Sequence, residues 1–122
     1  MNPKVQNILI VDDVADDRLI VRIILEKEGY KIVEAKDWKE ALVVIKKEKI
    51  SLVLLDLRMP EMDGLELLGK IRKENSQETL PVVIYSSVPN TCDDYKSYGS
   101  SGYIKKYSDP NVLINKVKDA LR

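Results

Sequence analysis

No histidine occurs in the chain, so no His-based catalytic triad, histidine metal site or histidine phosphoacceptor can be built from these residues. Cysteine is nearly absent as well. Cys92 stands alone, which excludes an intramolecular disulfide and suits a reducing compartment. Neither sign of charge is in excess, with Lys plus Arg at 20 and Asp plus Glu at 20, so the basic field that nonspecific nucleic-acid binding needs is missing. No apolar stretch approaches the ~20 residues that span a bilayer. The opening Met1-Asn2-Pro3-Lys4-Val5-Gln6 lacks the apolar core of a signal peptide. The expectation is a soluble cytoplasmic domain with neither a nucleic-acid nor a membrane partner. Its 122 residues suffice for one domain, which at this size buries roughly two thirds of its unfolded surface and needs no staple.

What the chain does contain is a regular alternation of short apolar runs and amphipathic stretches. Ile8-Leu9-Ile10-Val11 is continuous and rich in β-branched residues, as a strand buried on both faces should be. Residues 15–28 carry Leu19, Ile20, Ile23 and Ile24 at helical spacing, with Gly29 as the stop. A strand is expected at 31–35. Asp37-Trp38-Lys39-Glu40 resembles a capping box that opens a helix to about Glu48. Further strands are expected at 51–56, 81–86 and 102–105, and helices at 64–73 and, weakly, 90–98. The stretch 57–63 contains Pro60 and reads as an irregular loop, with Asp63-Gly64 as a turn. Asp109-Pro110 supplies a cap and a first-turn proline for a last helix running to about Leu121 through Val112, Leu113 and Val117. Five β–α units in strict alternation imply an α/β fold: a parallel sheet with helices on both faces and a functional crevice beyond the carboxyl ends of the strands.

The polar residues worth attention fall at those strand ends. Asp12-Asp13 closes the first apolar run, and Asp56 closes Leu52-Val53-Leu54-Leu55. Acids after a strand could serve to start a helix, but four Asp within six residues exceed what capping requires. The strand-end pair is therefore assigned to a cation, and Asp16 and Asp17 to the start of the helix. Three carboxylates on one sheet edge would repel each other without a cation, and oxygen ligands of this kind suit Mg²⁺. Asp56 is the best phosphoryl acceptor, since no helix begins there for it to cap. Ser86 or Ser87 brings a hydroxyl to the same edge, with register favouring Ser86. Lys105 or Lys106 brings an ammonium able to bond an anionic group on Asp56. Five of the six tyrosines (Tyr85, Tyr95, Tyr98, Tyr103 and Tyr107) fall in the last third of the chain, where they could face a partner or simply be scattered surface residues.

Together these segments closely resemble the receiver domain of two-component response regulators. The resemblance covers nearly the whole chain. It rests on Ile-Leu-Ile-Val-Asp12-Asp13, Leu-Leu-Asp56-Leu-Arg-Met-Pro60-Glu-Met-Asp-Gly64, Leu-Pro81-Val-Val-Ile-Tyr-Ser86-Ser and Ser-Gly102-Tyr103-Ile-Lys-Lys106, in that order. It implies one receiver domain over residues 1–122, with a flavodoxin-like (βα)5 three-layer sandwich and strand order 2-1-3-4-5. It implies that Asp56 accepts a phosphoryl group from a phosphohistidine on a sensor histidine kinase or a histidine phosphotransfer protein. It further implies that Asp13, Asp56 and the backbone carbonyl of Arg58 ligate Mg²⁺ while Asp12 acts largely through water. Ser86 would be the switch hydroxyl, Tyr103 the rotating aromatic and Lys106 the cation for the phosphoryl oxygen. The surface that switches, around the fourth and fifth units, would meet an unknown downstream protein.

Two departures from the family pattern stand out. Tyr107 follows Lys106 where the family usually has proline, often after a cis bond. A non-proline cis bond costs ~2.5–4 kcal/mol, so either a trans bond with a reshaped loop or a strained cis bond is expected, with Lys105 as a possible substitute for Lys106. Val88 stands where the family often has a polar group, and it cannot hydrogen-bond an attacking water. The main alternative function is a pseudo-receiver, a protein-binding module that never carries phosphate. A Mg²⁺-dependent aspartyl phosphatase would need a cap region for which the chain is too short. A flavin-binding flavodoxin would need a Ser/Thr/Gly-rich phosphate loop after the first strand.

Overall fold

Each continuous apolar run becomes a strand of one parallel sheet. The computed structural model describes residues 5–59, 62–75, 79–87 and 99–121, with the side chains of residues 58, 59, 62, 63 and 65 left aside. The strands are β1 (Asn7–Val11), β2 (Lys31–Ala35), β3 (Leu52–Leu55), β4 (Val82–Ser86) and β5 (Gly102–Lys105). They lie side by side in the order 2-1-3-4-5, every neighbouring pair parallel. The helices are α1 (Ala15–Glu26), α2 (Trp38–Lys47), α3 (Gly64–Glu74) and α4 (Pro110–Ala120). The helix expected at 90–98 lies outside the described residues.

The sheet is buried on both sides, and strand alternation divides its side chains between two cores. Ile8, Ile10, Leu52, Leu54, Val83, Tyr85 and Ile104 pack against Val21 and Leu25 of α1 and Leu113 and Val117 of α4. Leu9, Val11, Val53, Leu55 and Val82 pack against Ala41 of α2 and Leu67, Leu68 and Ile71 of α3. Each fully buried Leu or Ile contributes ~1.5–3 kcal/mol of transfer free energy. This is the flavodoxin-like three-layer sandwich expected from the sequence.

Several local signals act as expected. The Asp37 carboxylate accepts from the Glu40 amide at 2.8 Å to cap α2, and Asp109 accepts from the Asn111 amide at 2.8 Å to cap α4. Gly29, at φ +92°, takes the left-handed conformation just past α1.

The face of α1 is a correction. Leu19, Ile20 and Ile23 are exposed, and the buried stripe is Asp17, Val21 and Leu25, with Ile24 packed at its margin. Residues 19–25 are apolar apart from Arg22, so two stripes with the same spacing were available. Contact with the sheet selects the stripe offset from the expected one by one to two residues. Similarly, Val112 is exposed while Leu113 and Val117 carry the packing of α4.

The loop after β3 is more regular than expected. Arg58–Met59 pairs with Met62–Asp63 in a short antiparallel ladder that delivers the chain to α3. Gly64, the first residue of α3, is required by proximity rather than by a turn. A Cβ built there would sit 2.6 Å from Leu57 Cα and 2.7 Å from the Asp56 carbonyl oxygen. Gly64→Ala is therefore expected to lower stability by ~1–3 kcal/mol in urea denaturation, because only backbone can give way. Gly69→Ala, in the middle of α3 with open space around it, should instead raise stability by ~0.5–1 kcal/mol.

Candidate functional site

Extending the strand alternation by one step places the charged residues. Asp12 lies two residues beyond Ile10, Asp56 two beyond Leu54 and Lys106 two beyond Ile104. The ladder holds across these positions, because Asp12 N donates to Ala35 O, Asp56 N to Val11 O and Lys106 N to Ser86 O. All three side chains therefore emerge on the α1 side of the sheet at its carboxyl edge. Asp17 arrives there from the helix, one turn before Val21 on the same buried stripe.

The Lys106 ammonium sits at the centre. It lies 2.5 Å from Asp12 Oδ2, 2.8 Å from Asp17 Oδ2 and 3.2 Å from Asp56 Oδ2, with its side chain 3 % exposed. The Tyr85 ring packs beside it, 5.9 Å from centroid to Nζ. Burial by itself would lower the Lys106 pKa. The pairing of its N–H groups with the Asp12 and Asp17 carboxylates, together with the charge of Asp12 and Asp56, outweighs it and holds the lysine well above its ordinary value. Burial is also what raises Asp12, against the opposing pull of Lys106 and of the Val14 amide, which donates to Asp12 Oδ1 at 3.0 Å. Arg18 ties the Asp12 carbonyl to the helix with a 2.7 Å bond while pairing with Glu34.

Asp12, Asp13 and Asp56 each offer an oxygen within 4.8 Å of the others, and Asp13 opens to solvent while the other two are buried. An all-oxygen, all-carboxylate donor set with one open side fits a hard divalent cation such as Mg²⁺. Three carboxylates share one ammonium here and Asp13 adds a fourth negative charge beside them, so electrostatics also favour a second cation.

The other expected residues take distinct places. Ser86 is buried at the end of β4 and Ser87 is exposed; Lys106 is buried and Lys105 exposed. Tyr103 is half-buried on β5, in register with Ile84, so it shares a face with Ser86 and lies across the sheet from Ile104. Arg58 is placed only as backbone, in the short ladder two residues past Asp56. Val88, Cys92, Tyr95 and Tyr98 lie outside the described residues. The Lys106–Tyr107 peptide is trans, and Tyr107 adopts φ +64°. Of the two outcomes expected for the missing proline, the reshaped loop is the one observed.

Asp17 does more than sequence reasoning assigned it. As expected it lies in the first turn of α1, but it is also 5 % exposed and accepts from both the Lys106 ammonium and the Tyr107 hydroxyl. A signal was present: Asp17 precedes Val21 and Leu25 by four and eight residues, so choosing their stripe as the buried one carries Asp17 inward. Asp16, by contrast, is exposed in the first turn as expected.

Known proteins match this chain in sequence and in fold. The family model for the response regulator receiver domain matches residues 8–118. A 14.6 kDa protein of Leptolyngbya boryana is 38 % identical over 114 residues, covering 92 % of this chain and 87 % of its own length. The CAI-1 autoinducer sensor kinase/phosphatase CqsS of Vibrio cholerae is 36 % identical over 115 residues; the match covers 92 % of this chain but 17 % of that protein. The chain likewise spans half of the probable transcriptional regulator ycf27 of Porphyra purpurea, at 32 % identity. Among solved structures, a CheY-like receiver domain protein from Methanospirillum hungatei superposes with a TM-score of 0.86 at 30 % identity, over 97 % of this chain and 94 % of that one. The response regulator TrrA of Thermotoga maritima, crystallised with Mg²⁺ and BeF, gives 0.86 at 32 % identity over 95 % and 99 %.

Removing one partner of a buried ion cluster leaves the others uncompensated, at a cost of ~3–5 kcal/mol. Lys106→Met is expected to lower stability by about that amount in chelator-treated, low-salt buffer, measured by urea denaturation. Lys105→Met should change it by less than ~0.5 kcal/mol.

Proposed function

This chain belongs to the response regulator receiver family, and from that membership we propose that it is a phosphoacceptor whose Asp56 takes a phosphoryl group from a phosphohistidine. The observation that carries the reading is the meeting of Asp12, Asp13 and Asp56 with the buried Lys106 ammonium at the carboxyl edge of the sheet. None of the 122 residues is histidine, so the donor imidazole comes from outside this stretch of chain, on a sensor histidine kinase or a histidine phosphotransfer protein.

An Asp56 carboxylate oxygen attacks phosphorus in line. The P–O bond forms as the P–N bond breaks, and the imidazole nitrogen leaves with the bonding pair. Lys106, already 3.2 Å from Asp56 Oδ2, donates to a phosphoryl oxygen and offsets the charge gathering there. Asp12, Asp13, Asp56 and the Arg58 carbonyl would hold Mg²⁺, which when bound supplies Lewis-acid neutralisation of phosphoryl oxygens. The aspartyl phosphate adds about −1.5 to −2 charge and new acceptor oxygens. Ser86 can then turn its hydroxyl toward one of them, and Tyr103, on the same face, moves into the space released. Two arrangements of the face around β4 and β5 are thereby biased one against the other, and a downstream protein distinguishes them.

The pseudo-receiver reading drew on Tyr107 in place of proline. The trans bond and left-handed Tyr107 leave Lys106 within reach of Asp56, which favours the phosphoacceptor. Incubation with a small phosphodonor is expected to label the chain only when Mg²⁺ is present, with phosphate mapping to Asp56 by mass spectrometry. Labelling that survives Asp56→Ala would disprove the assignment. Because Val88 has no group for an attacking water, the label should decay slowly; loss as rapid as in the fastest receivers would count against that role for Val88.

A further inference from the structure

Asp17 and the Tyr85 ring flank Lys106, and Tyr107 reaches Asp17. A lysine ammonium has three N–H donors, and three carboxylates lie within reach of them: Asp12, Asp17 and Asp56. The Asp17 bond, at 2.8 Å, is shorter than the Asp56 bond, at 3.2 Å, so the ammonium leans toward the helix. Asp17 is itself held from outside. The Tyr107 hydroxyl lies 3.1 Å from Asp17 Oδ1 and 3.0 Å from Oδ2, although the Tyr107 side chain is otherwise exposed. The ring of the buried Tyr85 packs beside Lys106, 5.9 Å from centroid to Nζ. The route back to α1 depends on φ +64° at Tyr107. That value is uncommon for a non-glycine residue and closed to proline, whose ring holds φ near −65°. The residue that breaks the family pattern after the lysine is thus the one that reaches Asp17.

We propose that Asp17 and Tyr107 are positioning residues for the phosphoryl-transfer cation, fixing the Lys106 ammonium from the α1 side at the place where it also reaches the Asp56 acceptor oxygen. The proposal rests on Asp56 being the acceptor. The consequence is geometric. With the ammonium fixed between Asp17 and Asp56, it stands where an arriving phosphoryl oxygen is to be met. Without Asp17 it loses one of its three carboxylate partners, and its place beside the acceptor is no longer fixed. A purely structural role would have Asp17 do no more than compensate buried charge, and Tyr107 would then be dispensable.

The test uses the full chain in four forms: unsubstituted, Asp17→Asn, Tyr107→Phe and the double variant. Labelling by acetyl phosphate with Mg²⁺ is followed alongside the ¹⁵N resonance of the Lys106 ammonium, recorded without donor or metal. Asp17→Asn keeps the shape and an acceptor oxygen, and Tyr107→Phe removes one exposed hydroxyl, so folding should survive both; thermal melts check this. Labelling is expected to slow by about tenfold in Asp17→Asn and by severalfold in Tyr107→Phe, magnitudes typical of a misplaced catalytic group. The double variant should be no slower than Asp17→Asn, because the hydroxyl acts only through Asp17. The ammonium resonance should be sharp in the unsubstituted chain and broadened by exchange in the variants. Unchanged labelling, multiplicative losses, or slowed labelling with an unaltered ammonium resonance would each overturn the positioning role. Absence of labelling in the unsubstituted chain would instead overturn the proposed phosphoacceptor function, which separates the two failures.

Discussion

One buried ammonium makes the edge of this sheet possible. Asp12, Asp17 and Asp56 lie within hydrogen-bonding distance of Lys106, in a place where unpaired carboxylates would be costly to desolvate. Lys106 is delivered by the last strand, Asp12 and Asp56 by the two central ones and Asp17 by the first helix. The strands must therefore be in their order, and α1 in its packing, before the charges balance. The same compensation is incomplete by design of the charge count: Asp13 faces solvent with no share in the lysine among the described contacts. The cluster is thus stable enough to fold and still able to attract a cation.

The sheet separates two kinds of chemistry. On the α1 side lie the ionic groups, with the Tyr85 ring beneath the lysine. On the opposite side lie Ser86 and Tyr103, neutral and aromatic, over the layer built by α2 and α3. Gly64 brings the start of α3 against the backbone at Asp56 and Leu57 so closely that no side chain fits between. That contact joins the Asp56 segment to the second layer through backbone rather than through a chain of side chains.

Much of this was legible in one dimension. The apolar runs gave strands because each is flanked by turn residues and lies at a β–α spacing. Asp37 and Asp109 announced their helices by the residue types a cap requires. Asp12 and Asp56 stood out because each closes an apolar run, whereas Lys105 and Lys106 both remained candidates for the ammonium. The face of α1 did not follow, since residues 19–25 present apolar side chains almost all around the helix, and periodicity chooses a stripe only where one side is polar. Asp17 was lost with that choice. Its acidity fits a first turn, and nothing within five residues of it in sequence reveals the lysine 89 positions away.

The sequence by itself determined the order of elements, the parallel sheet and the identities of the acids, hydroxyl and lysine at its edge, because these depend on local periodicity and on where an apolar run meets a charge. Only the tertiary structure decided which stripe of α1 faces inward, that Lys106 rather than Lys105 and Ser86 rather than Ser87 turn toward the interior, and that Tyr107 folds back onto Asp17. Those outcomes depend on distances between segments remote in the chain, and on a backbone torsion that residue type alone makes uncommon and that is seen here beside the Asp17 hydrogen bond.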